Sequence, residues 1–160
     1  MKIVGIDPGL AGTGIGVIEG DGRAITGYSF GSISTRASEP DPVRLHHIYS
    51  KTKAFLLDQS PDLVVLEDIY SLEKYPGSGI MLGKVSGVLL LAAFKAGAQV
   101  REVAVREVKM VICGNGGADK NQVERSVRQH LNHDKPIRPF HASDALGLAL
   151  TGFYRYGTNP

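Results

Sequence analysis

The first hydrophobic run, Lys2–Asp7, is short and nearly continuous, which predicts a strand. Pro8-Gly9 breaks it, and Thr13–Ile18 resumes the apolar pattern with glycines interleaved. Gly20-Asp21-Gly22 signals a turn, and Ala24–Thr35, with Tyr28, Phe30 and Ile33, predicts a third strand. Three strands joined by short turns favour an antiparallel meander. The rhythm then changes. Leu45, Ile48, Tyr49, Thr52, Phe55 and Leu56 recur at spacings of three and four, predicting a helix over Val43–Gln59. Pro42 sits near its start, Asp41 is placed to cap it, and Ser60-Pro61-Asp62 ends it.

Leu63–Leu66 is four apolar residues in a row, as suits a strand buried on both faces. Tyr70–Gly79, with Pro76, Gly77 and Gly79, reads as a loop. Ile80–Ala96 predicts a mostly apolar helix, Gln99–Val105 a strand and Arg106–Ile112 a short helix. A glycine loop, Gly114–Gly117, leads to a helix over Lys120–Leu131, opened by Ala118 or Asp119. After a connector at His133–Pro139, the last helix spans His141–Tyr156, with Ala142, Ala145, Leu146, Ala149, Leu150 and Phe153 on one stripe. The order β-β-β-α-β-α-β-α-α-α implies one α/β domain over residues 1–160. Its five-stranded mixed sheet, three antiparallel strands and then parallel crossovers, is flanked by helices.

Charge changes this picture only when its distribution is examined. Eighteen basic side chains oppose 16 acidic ones, a net +2 that rules out a histone-like polycation. Residues 1–70 hold 6 basic and 9 acidic groups, whereas residues 71–160 hold 12 and 7. The two parts therefore differ in sign, and the small total does not argue against a DNA partner. One cysteine, Cys113, excludes an intramolecular disulfide and a multi-cysteine zinc site, and fits a reducing compartment. The longest apolar stretch, Val85–Phe94, contains Ser86 and Gly87 and falls short of the ~20 residues of a membrane span. Residues 1–7 are too short for a signal-peptide core. The expectation is a soluble cytoplasmic protein.

Four residues are not demanded by the fold. Asp7 ends the first strand, and Glu67 follows the buried run Leu63–Leu66. His141 and Asp144 are three apart and so share one helix face. Each has a plain structural alternative. Asp7 suits a turn, Glu67 a solvated sheet edge, and His141 and Asp144 a helix start favoured by the dipole. Taken together, strand ends and a helix lying across them can gather three carboxylates and an imidazole. Crowded carboxylates resist burial, and a hard divalent cation relieves the cost. Two such ions ~4 Å apart hydrolyse phosphodiesters.

The motifs around these residues are recognisable. Gly5-Ile6-Asp7-Pro8-Gly9 followed by Thr13–Ile18 resembles the opening of RuvC-type Holliday junction resolvases. Leu66-Glu67-Asp68-Ile69-Tyr70 resembles their second acidic motif with its aromatic. Leu82-Gly83-Lys84-Val85-Ser86-Gly87 is similar to their helix signature, and Val108-Lys109 with Gly114–Val123 to their basic segment. His141-Ala142-Ser143-Asp144-Ala145-Leu146 matches their last motif. The resemblance implies an RNase H-like fold and a homodimer. It also implies Mg²⁺-dependent nicking of four-way DNA junctions, with Mn²⁺ substituting and one or two ions per site. Asp7, Glu67, His141 and Asp144 would be the catalytic, metal-holding set. Tyr70 would stack on a base, and Lys109 and Lys120 would contact the scissile backbone. The branch-migration proteins RuvA and RuvB are the implied partners.

The sequence departs from the pattern in places. Ser86 replaces the usual Arg of the helix signature, and Lys84, a further candidate DNA contact, replaces a Gln. His141 stands where many members carry Asp, and Tyr70 where Phe is more usual. Tyr70 has a core-capping alternative, and the lysines have a merely solvated one. The Gly114–Gly117 loop beside the following helix start suggests a phosphate site, or else a flexible connector. The small residues Gly83, Ser86 and Gly87 on the apolar helix allow close approach of a second copy, against the alternative of a fully buried helix. Other enzyme classes also compete: a nuclease of the same fold acting on RNA–DNA hybrids or ribosomal RNA, or an actin-like kinase, which would need a second lobe. A non-catalytic junction binder would leave the acidic set without a task.

Overall fold

The computed structural model describes residues 1–69 and 76–157. Five strands, β1 (Lys2–Asp7), β2 (Gly12–Gly20), β3 (Ile25–Ser34), β4 (Leu63–Asp68) and β5 (Val100–Ala104), form one sheet in the order β3-β2-β1-β4-β5. β1, β2 and β3 pair antiparallel, and β4 and β5 continue in parallel on the other side of β1. This is the expected RNase H-like arrangement. Helices α1 (Asp41–Gln59) and α2 (Pro76–Lys95) cover one face of the sheet. Helices α3 (Val105–Cys113), α4 (Lys120–Leu131) and α5 (Phe140–Tyr156) cover the other.

Covering both faces explains why the central strands read as continuous apolar runs. Val4, Ile6, Val64 and Leu66 point into the α1–α2 layer. Ile3 and Val65, one residue out of phase, point into the α5 layer. β1 has the expected bounds, β3 and β5 are one residue shorter at each end, and β2 and β4 run longer. β4 extends through Glu67 and Asp68, because its parallel pairing with Val103 and Ala104 of β5 continues past the last apolar side chain.

Helix starts account for the remaining differences. α2 begins at Pro76, so residues 76–79 are helical and not part of a loop. Proline is compatible with a first turn, since its missing N–H has no partner there. α1 is capped by the extended Pro40, and Asp41 is its first helical residue and makes no cap bond. α4 starts as expected behind Asp119.

α5 is the spine of its layer. Every residue from Ala142 to Phe153 is buried except Asp144, a wider burial than one stripe implied. Its fully buried Leu146, Leu148 and Leu150 contribute roughly 1.5–3 kcal/mol each. Glycines let the helix approach the sheet. A Cβ at Gly14 would strike the His141 carbonyl, and one at Gly16 would come within 2.5 Å of the Leu146 nitrogen. Gly5, the register partner of Gly16, meets the Ala145 carbonyl in the same way.

α2 behaves differently. Val85, Ser86, Leu89, Ala92 and Ala93 are buried, but Ile80, Leu91 and Phe94 are exposed, Phe94 by 74%. The segment Gly77–Lys95, with mean hydropathy 1.6, is long and apolar enough to cross a membrane by length and composition. Counting uninterrupted apolar residues had not suggested this. Only a third of the segment is buried in the protein, so an apolar face is left outside.

Candidate active site

The parallel register of β1 and β4 places the two strand acids side by side. Ile6 pairs with Leu66, so Asp7 and Glu67 follow at the same level. Alternation points both toward α5, the side already occupied by Gly5 and Val65. α5 in turn is held down by Gly14, the register partner of Asp7. That contact brings the first turn of α5 over the end of β1. His141 Nδ1 lies 2.9 Å from Asp7 Oδ2. An ionised carboxylate can only accept, so the imidazole Nδ1–H donates. Asp144, the single break in the buried run of α5, faces the same space. Ahead of it the Pro8-Gly9 bend is closed by the Thr13 hydroxyl, which donates to the Gly9 carbonyl at 2.9 Å.

The result is one cleft of about 240 Å³, lined by Asp7, Glu67, His141, Asp144, Lys109 and Lys120 among others. All four expected acidic and imidazole positions meet there, together with two of the expected lysines. Val105, Val108, Val123 and Leu148 supply an apolar wall. The sequence analysis assigned these four residues no role in the site.

The wall has an electrostatic consequence. Burial, then the charges of Asp7 and Asp144, push the Glu67 carboxyl up to about 7. Burial and Asp7 push Asp144 up to about 6. Lys109 and Lys120 oppose both shifts without cancelling them. The hydrogen bond to Asp7 raises His141 above its ordinary value, against the effect of burial. Burial and mutual repulsion together make these carboxylates costly to ionise without a cation.

A hard divalent cation suits such a donor set: three carboxylates and one imidazole in a half-buried cleft. Among the described residues, no three His, Cys, Asp or Glu side chains converge closely enough to enclose one ion. Asp7 is engaged with His141, and the carboxylates stand apart. The chemistry of the donors fits a cation, which would draw them together.

Two other expectations change. Several amides at the start of α4 are already engaged, which narrows any phosphate site there. The Asp119 carboxylate accepts from Asn121 and Gln122, and the Gln122 side chain accepts from Asp119 N–H. In the preceding loop, Asn115 Oδ1 accepts from Gly117 N–H. Lys109 and Lys120 remain as the positive groups of that wall. Lys84 does not line the cleft and is exposed on α2. Ser86 is buried, and its hydroxyl has no hydrogen-bond partner among the described residues. Tyr70 lies outside the described residues.

Sequence reasoning missed the glycine track that sets the height of α5. Its signal was present as Gly12, Gly14 and Gly16 at a period of two, which places them on one face of a strand. What that face met was not in the sequence.

Comparison with known proteins agrees with this geometry. Residues 3–152 match the family described as crossover junction endodeoxyribonuclease RuvC. The protein of that name from Syntrophomonas wolfei subsp. wolfei is 35% identical over 156 residues, covering 98% of this chain and 90% of the relative. The structure of Thermus thermophilus RuvC superposes with a TM-score of 0.83 at 33% identity, over 99% of this chain and 98% of that one. T. thermophilus RuvC in complex with a Holliday junction substrate gives 0.84 at 28% identity, over 99% and 96%.

Proposed function

The chain belongs to the RuvC family of crossover junction endodeoxyribonucleases, and we propose that it resolves four-way DNA junctions by divalent-metal-dependent phosphodiester hydrolysis. The observation that carries this reading is the convergence of Asp7, Glu67, His141 and Asp144 with Lys109 and Lys120 in one cleft.

Asp7, Glu67, Asp144 and His141 would hold one or two Mg²⁺ ions, with Mn²⁺ as a substitute. Bound there, such ions supply activation of water and stabilisation of the leaving oxygen. The chain's own residues do the rest. Asp7 orients the imidazole through the Nδ1 hydrogen bond. That leaves Nε2 as the ring atom able to take or give a proton. Lys109 and Lys120 attract the scissile phosphate, and the apolar wall keeps the carboxylates from spreading into solvent. Tyr70 would stack on an unpaired base near the junction centre, a contact worth roughly 1–3 kcal/mol that tolerates any sequence.

Two symmetric cuts call for two copies of this site, as a two-fold dimer supplies. The exposed stripe of α2, with Ile80, Gly83, Gly87, Leu91 and Phe94, supports a helix-to-helix contact with a second copy. Among the described residues, Gly83 and Gly87 have no neighbour within 4 Å of where a Cβ would stand, which leaves room for a partner backbone. A second copy covers this apolar face in a cytoplasmic protein, where lipid would cover it in a membrane protein. RuvA and RuvB are the proposed partners for loading. Lys84, on the same helix, would reach DNA only along α2 and not through the cleft.

The test uses purified protein with Mg²⁺ and four substrates: four-way junction, duplex, single strand and RNA–DNA hybrid. Selective, paired nicks in the junction are expected. Preferential cleavage of the hybrid would overturn the reading.

A further inference from the structure

Four residues after Lys120, one buried carboxylate on α4 fastens the α4–α5 connector. Glu124, on α4, is 5% exposed. Its Oε1 accepts from Ile137 N–H at 2.8 Å and from Arg128 Nε at 2.8 Å. Ile137 is itself fully buried, so the connector is held both by its backbone and by its side chain.

Arg138 is the next residue, and its side chain is fixed without being consumed. Its Nη1 donates to the Ile137 carbonyl at 2.8 Å. Its guanidinium lies over the Phe140 ring, 4.1 Å from the centroid. It approaches Glu124 Oε1 only to 3.8 Å, where Arg128 already holds the short ion pair. Two arginines share one carboxylate, so the cluster keeps one positive charge in excess. Arg138 is the one that faces outward: its side chain is 51% exposed, against 25% for Arg128. No other hydrogen bond engages its remaining N–H groups among the described residues.

Its location follows from two short steps. Glu124 is one turn beyond Lys120 on α4, a rise of about 6 Å. Arg138 touches that same Glu124, and it stands three residues before His141. Lys120 and His141 both line the acidic cleft. Arg138 therefore lies outside the cleft lining, between Glu124 of α4 and the first turn of α5, each one helical turn or three residues from a residue that lines it. A planar cation stacked on an aromatic ring has already lost much of its rotamer freedom, and its free fork matches phosphate geometry.

We propose that Arg138 is a further DNA-backbone contact, a guanidinium that Phe140 and the Glu124-fastened connector present to a phosphate beside the one in the cleft. This rests on the junction-nuclease reading above. It assigns a binding task to a residue outside the cleft and outside the motifs that carry the family resemblance.

Junction binding without cleavage tests it, by anisotropy of a labelled four-way junction in EDTA across a KCl series. Arg138→Ala is expected to make the plot of log affinity against log salt shallower by about one ion, and to weaken binding about three- to tenfold at low salt. Arg138→Lys should keep the slope, since the charge remains. Phe140→Leu should also keep the slope while weakening binding about twofold, through loss of the stacked geometry. If Arg138→Ala melts early, Arg138→Gln, which retains a donor for the Ile137 carbonyl, carries the same measurement. An unchanged slope in the folded variant, with wild-type protein binding the junction in a salt-dependent way, overturns the assignment of Arg138 and leaves the junction reading intact. Failure of wild-type protein to bind the junction overturns the junction reading and, with it, this one.

Discussion

Glycines mean opposite things on the two faces of this sheet. On the α5 face, Gly5, Gly14 and Gly16 are filled against helix backbone, and a Cβ at any of them would collide. On the outer side of α2, Gly83 and Gly87 meet nothing within 4 Å among the described residues. The first set is explained inside the molecule, because it lowers α5 onto β1 and β2 and so brings His141 to Asp7. The second set is not explained by the chain alone. A helix interior gains nothing from exposed glycine, which costs about 1 kcal/mol against alanine. One face is built for chemistry. The other leaves Ile80, Leu91 and Phe94 in the open and is the face proposed for a second copy.

The largest effect belongs to the chemical face. Asp7→Asn keeps an acceptor for His141 and leaves the fold intact, but removes a charged ligand. Cleavage in Mg²⁺ should fall by roughly 100- to 1000-fold or more, while junction binding persists. Retained cleavage would remove Asp7 from the site. Gly14→Ala comes next. Its methyl meets the carbonyl of His141 and not a flexible side chain, so the fold should lose about 3 kcal/mol, read as the urea midpoint. Cleavage should drop in the folded fraction as well, because α5 is lifted.

On the partner face, Leu91→Glu should leave the melting of the monomer nearly unchanged, since Leu91 is 47% exposed. Sedimentation at micromolar concentration should shift from dimer to monomer. A wild-type protein that sediments only as monomer would end the comparison drawn above.

Acidity separates the faces again. Glu67 and Asp144 bind protons more tightly in the metal-free fold than in the unfolded chain, at about 7 and about 6. His141 is also raised. For each, the native state holds more protons across the window between the two values. Stability of the metal-free protein should therefore fall as pH rises from about 4 to about 7. Glu67→Gln should flatten that fall and leave the metal-free variant more stable than wild type at pH 8 by roughly 1–3 kcal/mol. Added Mg²⁺ should raise the wild-type Tm strongly at pH 8 and little at pH 5, and should do neither for Glu67→Gln. An equal Mg²⁺ effect at both values of pH would place the ion elsewhere.

The smallest effect completes the contrast. Gly87→Ala, the same substitution as at Gly14, should stabilise the fold by about 0.5–1 kcal/mol through helix propensity. If α2 packs against a second copy there, it should weaken the dimer at the same time. Stabilisation with an unchanged dimer would move the contact away from Gly87.

Much of the site was legible before any coordinates. Asp7 and Glu67 each close an apolar strand, and His141 and Asp144 share a helix turn. These are local patterns, and local patterns survive in a sequence. Less was legible of the basic segment. Gly114–Gly117 and the α4 start looked open to phosphate, and the structure engages several of those amides through Asp119, Gln122 and Asn115. Whether a cap bonds inward or leaves its amides free depends on side-chain rotamers that spacing does not encode. α2 was ambiguous for a similar reason. An apolar helix with small residues fits either a buried layer or an exposed contact, and only its packing against α1 and the sheet showed which residues remain outside.

The sequence by itself determined the order of the elements, the place of Asp7 and Glu67 at the ends of apolar strands, and the pairing of His141 with Asp144. Periodicity fixes direction along each element, and that is enough for these. The tertiary structure alone decided the distances. The parallel register of β1 with β4 puts two acids level, and a backbone-to-backbone seat on glycine lowers α5 to meet them. The connector fastened to Glu124 then sets Arg138 against Glu124 and the Phe140 ring, outside the lining of the cleft. Each of these joins residues far apart in the chain, where the interaction is set by packing between elements and not by the pattern within one.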